Sequence, residues 1–186
     1  MVLLLGLSTA SWAQTPPPVE ARRVVREGLV FGFGAGLGSM IADCDECRST
    51  FEAFGLDAHI GWMLAPRLAL VLDSWAMAHV EDFLVVYQHI ATLGLTWWAT
   101  PRLWVQGGLG YASAGYHWSG IFAEREDRTA FRPGFLVGIG YELHQTRHFT
   151  IDARLRYGTG TYGEHVGDDY VVRGHSIALG VGFSWY

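Results

Sequence analysis

The segment from Val171 to Tyr186 constrains the fold most strongly, because large apolar residues alternate in it with small ones. The odd positions from 177 to 185 carry Ile, Leu, Val, Phe and Trp, whereas the even positions carry Ala, Gly or Ser. A period of two is typical of a β-strand with one apolar face. An apolar strand left at the open edge of a sheet promotes aggregation in water. We therefore expect this strand to close a barrel whose outer face is covered by lipid.

Seven further segments show a similar alternation. The predicted strands are Gly28–Ser39, Phe51–Leu64, Leu68–Ala78, Phe83–Trp98, Leu103–Tyr116, Phe131–Leu143, Phe149–Tyr162 and Val171–Trp185. Three connections are very short and carry arginine at positions 67, 102 and 147, whereas the others are mostly longer and more polar. This asymmetry is typical of an outer-membrane barrel, with the short turns on the periplasmic side. The sequence predicts an all-β, antiparallel, up-and-down transmembrane barrel of about eight strands, with a soluble β-sandwich as the alternative.

The composition favours strands over helices as membrane-crossing elements. Half of the residues are hydrophobic, only 17% are charged, and the mean hydropathy is +0.17. No internal segment approaches the roughly 18 uninterrupted apolar residues that a spanning helix needs. The net charge of −5 and the absence of lysine do not indicate a nucleic acid as partner.

The amino-terminal region is typical of an exported protein. Residues 1–13 contain an apolar core followed by small residues, which predicts a cleaved signal peptide; a disordered apolar start is the alternative. Residues 14–27 include three consecutive prolines and predict a periplasmic linker. The barrel is expected to occupy residues 28–186.

Gly180, Phe183 and Trp185 have the spacing of the carboxy-terminal signal by which the assembly machinery recognises outer-membrane barrels. Together with its pattern of hairpins, the chain resembles the small OmpA/OmpW-like barrels. The resemblance implies location in the cell outer membrane, contact with outer-membrane lipid and with the barrel-assembly machinery, and a structural or interaction role. Passage of small solutes and adhesion through the extracellular loops are open alternatives. We expect a monomer with no enzymatic activity, cofactor or metal.

The faces opposite the apolar ones carry an unusual set of charges. They are Asp57, His59, Asp73, Arg132, Glu142, Asp152, Arg154 and Arg156. Charges in a narrow interior need partners, and arginine can bind carboxylates through two hydrogen bonds. These residues therefore predict either a lumen filled by ion pairs or a narrow, water-filled passage. The inward face of the first strand carries glycine at positions 32, 34, 36 and 38, which leaves space for long side chains from across the lumen.

Cys44 and Cys47 lie in the first polar loop, on either side of two acidic residues. In an exported protein the pair predicts a disulfide that fastens the loop. A metal site would need further ligands, and none is close in sequence.

His117 and Ser119 form the arrangement that most suggests catalysis. Their spacing resembles the His-x-Ser of the outer-membrane lipid A deacylases, which implies a base and a nucleophile at the lipid-facing rim. Glu124 and Glu126, in the following loop, are the candidates for the orienting acid. The alternative is a polar rim at the end of a strand.

Aromatic residues gather near both ends of the predicted strands. Those near the short turns are Trp62, Trp97, Trp98, Phe149, Trp185 and Tyr186, and those near the opposite ends are Phe51, Phe83, Tyr116, Phe131 and Tyr157. The distribution predicts two girdles at the membrane interfaces.

Overall fold

The computed structural model describes residues 26–44, 47–119, 124–128, 132–162 and 172–186. The predicted signal peptide at 1–13 and all but the end of the predicted linker lie outside these residues. Within the described ranges, no helix has the length and apolar character needed to cross a membrane.

The described residues form nine antiparallel β-strands in one sheet. They are β1 (Leu29–Cys44), β2 (Cys47–Ala65), β3 (Leu68–Glu81), β4 (Leu84–Trp98), β5 (Leu103–Ser119), β6 (Glu124–Arg128), β7 (Arg132–Gln145), β8 (Phe149–Tyr162) and β9 (Val172–Trp185). Eight of them close a ring, because β1 pairs with β9 and β5 pairs with β4 on one side and β7 on the other. The closed eight-stranded barrel confirms the predicted fold class.

The pairing register is staggered around the ring. When cross-strand partners are followed once around the barrel from Leu103, the path returns to the same strand at Ser113, ten residues further along. A stagger of this kind tilts the strands and sets the width of the interior. In a barrel of eight strands that interior is just wide enough to be filled by side chains.

Two of the predicted polar loops opposite the short turns are partly strand. The polar stretch at 43–50, expected to be a loop, instead continues β1 and β2 up to the facing pair Cys44 and Cys47. Part of the expected loop 119–130 forms β6, which pairs with the last residues of β5. The reason is that backbone hydrogen bonds extend a hairpin above the membrane without any apolar alternation in its side chains.

The two faces of the barrel wall have opposite character. Large apolar side chains point outward and are exposed, among them Leu37 and Leu109 at 74% and 75%. Inward residues are mostly buried, and they include glycines, polar and charged side chains and two clusters of large apolar ones. An apolar outer wall is the arrangement of a barrel that lies in lipid.

Candidate functional site in the barrel lumen

Arg154 of β8 lies in the lumen and binds two carboxylates. Its Nε and Nη2 donate hydrogen bonds to the two oxygens of Asp152 at 2.7 and 2.9 Å, and its Nη1 donates to Asp57 Oδ1 at 2.6 Å. Asp152 lies two residues earlier on the same strand, whereas Asp57 lies on β2. Paired hydrogen bonds to a carboxylate are among the strongest that arginine makes. One guanidinium therefore joins strands that are distant in the sequence.

Arg156 extends this arrangement across the lumen. Its Nη1 contacts the same oxygen of Asp57 at 2.7 Å, and its Nη2 donates to Asp73 Oδ1 at 2.6 Å. The other oxygen of Asp73 accepts a hydrogen bond from Gln106 Nε2 at 2.9 Å. We call the five charged residues the luminal ion-pair chain: Asp152, Arg154, Asp57, Arg156 and Asp73. Each of these side chains is at least 95% buried, and each carboxylate contacts at least one guanidinium, as buried charges require.

The remaining predicted luminal charges lie beside the chain or apart from it. His59 is half-buried, and its Nε2 lies 3.3 Å from Ser184 Oγ. Arg132 is half-buried at the start of β7. Glu142 is fully buried, but it belongs to a separate cluster at the short-turn end of the barrel.

That second cluster, which we call the latch, consists of Arg26, Trp98, Glu142, Gln145 and Tyr186. Glu142 accepts hydrogen bonds from Arg26 at 2.6 Å, Trp98 Nε1 at 2.7 Å, Gln145 at 2.6 Å and the Tyr186 hydroxyl at 3.4 Å. The Arg26 guanidinium lies over the rings of Trp98 and Tyr186. Burial, reinforced by the Glu142 carboxylate, raises the pKa of Tyr186, the residue that follows β9. The phenol therefore remains a hydrogen-bond donor.

The latch was only partly foreseeable from the sequence. Arg26 falls in the predicted linker, and nothing in the local pattern indicates that it folds back against the barrel. The sequence predicts that Trp98 and Tyr186 belong to an interfacial girdle. For Trp98 this prediction is wrong, because the side chain is 3% exposed and points inward. The alternation of faces along β4 indicates the correct position: Trp98 shares the inward face with Gln88, whereas Trp97 faces outward.

Apolar layers fill the lumen on both sides of the luminal ion-pair chain. Toward the short turns the buried cluster comprises Val30, Met63, Ala69, Val71, Trp98 and Trp104. Toward the opposite end it comprises Met40, Ala53, Trp75, Met77, Ile90, Ala112, Leu136 and Ala178. The two luminal cavities found beside the ion pairs have volumes of about 20 and 10 Å³. Each has room for about one water molecule.

Inward-facing glycines provide the space that the luminal side chains occupy. A Cβ atom on Gly34 would lie 2.5 Å from Asp57 Oδ2 and 3.0 Å from Arg154 Nη1. A Cβ atom on Gly182 would collide with the Arg154 guanidinium, and one on Gly140 with the Trp104 ring. The glycine-rich inner face therefore makes room for bulky luminal side chains.

Cys44 and Cys47 are backbone partners at the tip of the β1–β2 hairpin. Their side chains lie outside the described residues, so the disulfide stays a prediction. Among the described residues, no three His, Cys, Asp or Glu side chains are placed to hold a metal ion.

The structure brings the acidic candidates close to His117 and Ser119 along the backbone. His117 is the cross-strand partner of Glu126, and Ser119 is the partner of Glu124. The pairing makes these residues backbone neighbours, whereas the sequence placed both glutamates in a loop. Among these residues, the structure describes the side chain of His117 alone.

The comparisons with known proteins support the fold. No family model matches the sequence, and no curated protein matches it. The solved structure of Ail, an outer membrane protein of Yersinia pestis, aligns with a TM-score of 0.59 at 15% identity over 85% of this chain and 99% of Ail. Neisserial surface protein A aligns with a TM-score of 0.55 at 16% identity over 84% of this chain and 98% of that protein.

At this level of identity the similarity concerns the fold alone. The closed ring of eight antiparallel strands, the apolar outer wall and these structural neighbours define the class: a small β-barrel of the outer-membrane type.

Proposed function

We propose that this protein is a non-conducting outer-membrane barrel that holds acidic extracellular hairpins above the membrane, where they bind a positively charged partner. The observation that carries the first half is the filled lumen. Buried ion pairs, two apolar layers and the latch occupy the interior, and the luminal cavities hold about one water each. The filled lumen supports a role at the surface rather than in solute passage.

The charge of the extracellular hairpins supports the second half of the proposal. Segments 43–52, 79–84, 119–131 and 163–171 together contain twelve Asp and Glu residues against three Arg. The short turns at the other end each carry one arginine instead. Complementary charge steers partners and selects among them. The acidic extracellular end of the barrel therefore repels polyanions and attracts basic segments or surfaces.

The structural neighbours agree with a role at the cell surface. Ail is described as an attachment invasion locus protein, and the Neisserial protein as a surface protein. Ail has also been solved with sucrose octasulfate, a heparin analogue, at a TM-score of 0.58 and 16% identity to this chain. The acidic hairpins argue against an equivalent polyanionic partner here.

The first test concerns conduction. We expect the chain, residues 14–186, refolded into a planar lipid bilayer, to show no discrete channel openings, because the described luminal side chains leave cavities of only about one water molecule beside the luminal ion-pair chain. A gel-mobility shift between unheated and boiled samples must show that the protein is folded, and an established porin serves as positive control. Reproducible openings from shifted protein would overturn the non-conducting assignment and favour solute passage.

The second test concerns charge. The triple variant Glu124→Gln, Glu126→Gln and Asp127→Asn should bind a fluorescent oligolysine about tenfold more weakly than the unmodified barrel in vesicles, at roughly 0.5 kcal/mol for each lost charge pair. Binding should also weaken as salt is raised. Glu27→Gln, an exposed change at the short-turn end, is the control. Equal loss in the control, or no loss in the triple variant, would contradict the proposal.

Two expectations from the sequence remain predictions. A lipid-esterase role for His117 and Ser119 is compatible with the β5–β6 pairing, which makes Glu126 and Glu124 their backbone partners. Recognition of Gly180, Phe183 and Trp185 by the barrel-assembly machinery is consistent with the outward position of the two aromatic side chains, which form part of a cluster with Phe31, Phe33 and Phe149.

A further inference from the structure

The outer wall of the barrel contains a depression, which we call the wall groove. It is lined by Leu109, Pro133, Gly134, Phe135, Thr159, Gly160 and Arg173 and has a volume of about 320 Å³. Pockets of about this size and upward hold small ligands. The groove is far larger than the luminal cavities, and it lies on the face of the wall that the membrane covers.

Register explains why the depression forms. Leu109, Phe135 and Thr159 are successive cross-strand partners on β5, β7 and β8, and all three face outward. Thr159 is much smaller than its neighbours in this row, and the paired glycines Gly134 and Gly160 form a floor of bare backbone beside it. The wall is therefore indented at Thr159, beside the larger side chains of the same row.

The groove has an apolar part and a polar edge. Leu109, Pro133 and Phe135 provide the apolar part. Arg173, exposed at the extracellular end of β9, provides a positive charge at the upper edge. Beside Thr159, its partner His175 is hydrogen-bonded through Nδ1 to the Tyr157 hydroxyl at 2.8 Å. Apolar surface that ends in an arginine and hydroxyl groups at the membrane interface matches an amphiphile with an anionic headgroup.

We propose that the wall groove binds one lipid of the outer leaflet, with an acyl chain against Leu109 and Phe135 and its phosphate at Arg173. Among macromolecular and small ligands, a lipid is favoured because this wall faces the bilayer and because the cation stands at headgroup height. Asp43 is the backbone partner of Arg173 across the β1–β9 seam. The proposal requires only that the barrel lies in a membrane and does not depend on the acidic hairpins.

The test is native mass spectrometry of the detergent-solubilised, folded barrel with dimyristoyl phosphatidic acid or dimyristoyl phosphatidylcholine. We expect one bound lipid and a preference for phosphatidic acid. Arg173→Gln should reduce that preference about fivefold, the effect of one basic residue at an anionic surface. Thr159→Trp, which fills the groove, should abolish retention of both lipids. Arg102→Gln, at an exposed short turn, should change neither.

Four results would overturn the proposal. One is retention of phosphatidic acid by Arg173→Gln at the level of the unmodified protein. Another is an equal loss in Arg102→Gln, which would show non-specific attraction. Retention of lipid by folded Thr159→Trp would place the lipid elsewhere. A dimer without bound lipid would assign the groove to a second copy of the chain. The gel-mobility shift of each variant separates these results from a failure to fold.

Discussion

Replacing Arg154 with alanine is expected to lower the free energy of unfolding by about 3–5 kcal/mol. The change removes the cation that Asp152 contacts through both oxygens and one of the two that Asp57 contacts. Buried carboxylates that lose their partner retain the cost of leaving water, which is why breaking a buried pair costs more than the pair contributes. The measurement is a urea titration of the barrel in lipid vesicles, followed by loss of the gel-mobility shift.

Arg102→Ala is the matched control for this experiment. Arg102 lies exposed in a short turn, and its replacement should change stability by no more than about 0.5 kcal/mol. If Arg154→Ala unfolds at the same urea concentration as the control, Arg154 does not neutralise the luminal carboxylates and the packed lumen must be held by its apolar layers instead.

Adding a single methyl group at Gly182 is expected to cost about 3 kcal/mol, because it overpacks the lumen and displaces a charged group. The Cβ of Gly182→Ala would occupy the position of the Arg154 guanidinium. That guanidinium is held by hydrogen bonds to two carboxylates, so it cannot move aside without breaking at least one of them. The same urea titration measures the effect.

Gly107→Ala controls for the general effect of replacing glycine in a strand. Gly107 faces outward on β5, and no atom lies within 4 Å of the position that its Cβ would take. Because alanine loses less conformational entropy than glycine on folding, this variant should be as stable as the parent or more stable by about 0.5 kcal/mol. Equal stability of the two variants would mean that the space beside Gly182 is not needed by Arg154.

The strands and their faces could be predicted because alternation is a local property. Ile177 to Trp185 shows its outward face in nine residues, and the same parity assigns Asp57, Asp73 and Arg154 to the interior without any knowledge of pairing. Two of the differences also have a local explanation. The girdle prediction fails for Trp98 because it rests on aromatic content and disregards which face of the strand the residue occupies. The sequence does not predict β6 because its five charged residues show no alternation at all.

The partners of the luminal charges could not be predicted. Arg154 binds one carboxylate two residues away and another 97 residues away, and only the second contact depends on how β8 and β2 face each other across the lumen. That relation is set by the stagger accumulated around the ring, which no single strand encodes. The contact between Arg26 and Glu142 could not be predicted for the same reason, because Arg26 packs against an end of the barrel that forms only when the strands have paired.

The sequence by itself therefore determined that the chain crosses a membrane as strands, which side chains face lipid and which face inward, and at which end the turns are short. These follow from a period of two and from turn composition, both of which act over a few residues. Only the tertiary structure decided which charged side chains meet in the lumen and that the outer wall is indented beside Arg173. Both depend on register between strands, because register determines which side chains meet in the lumen and which small residues align on the wall.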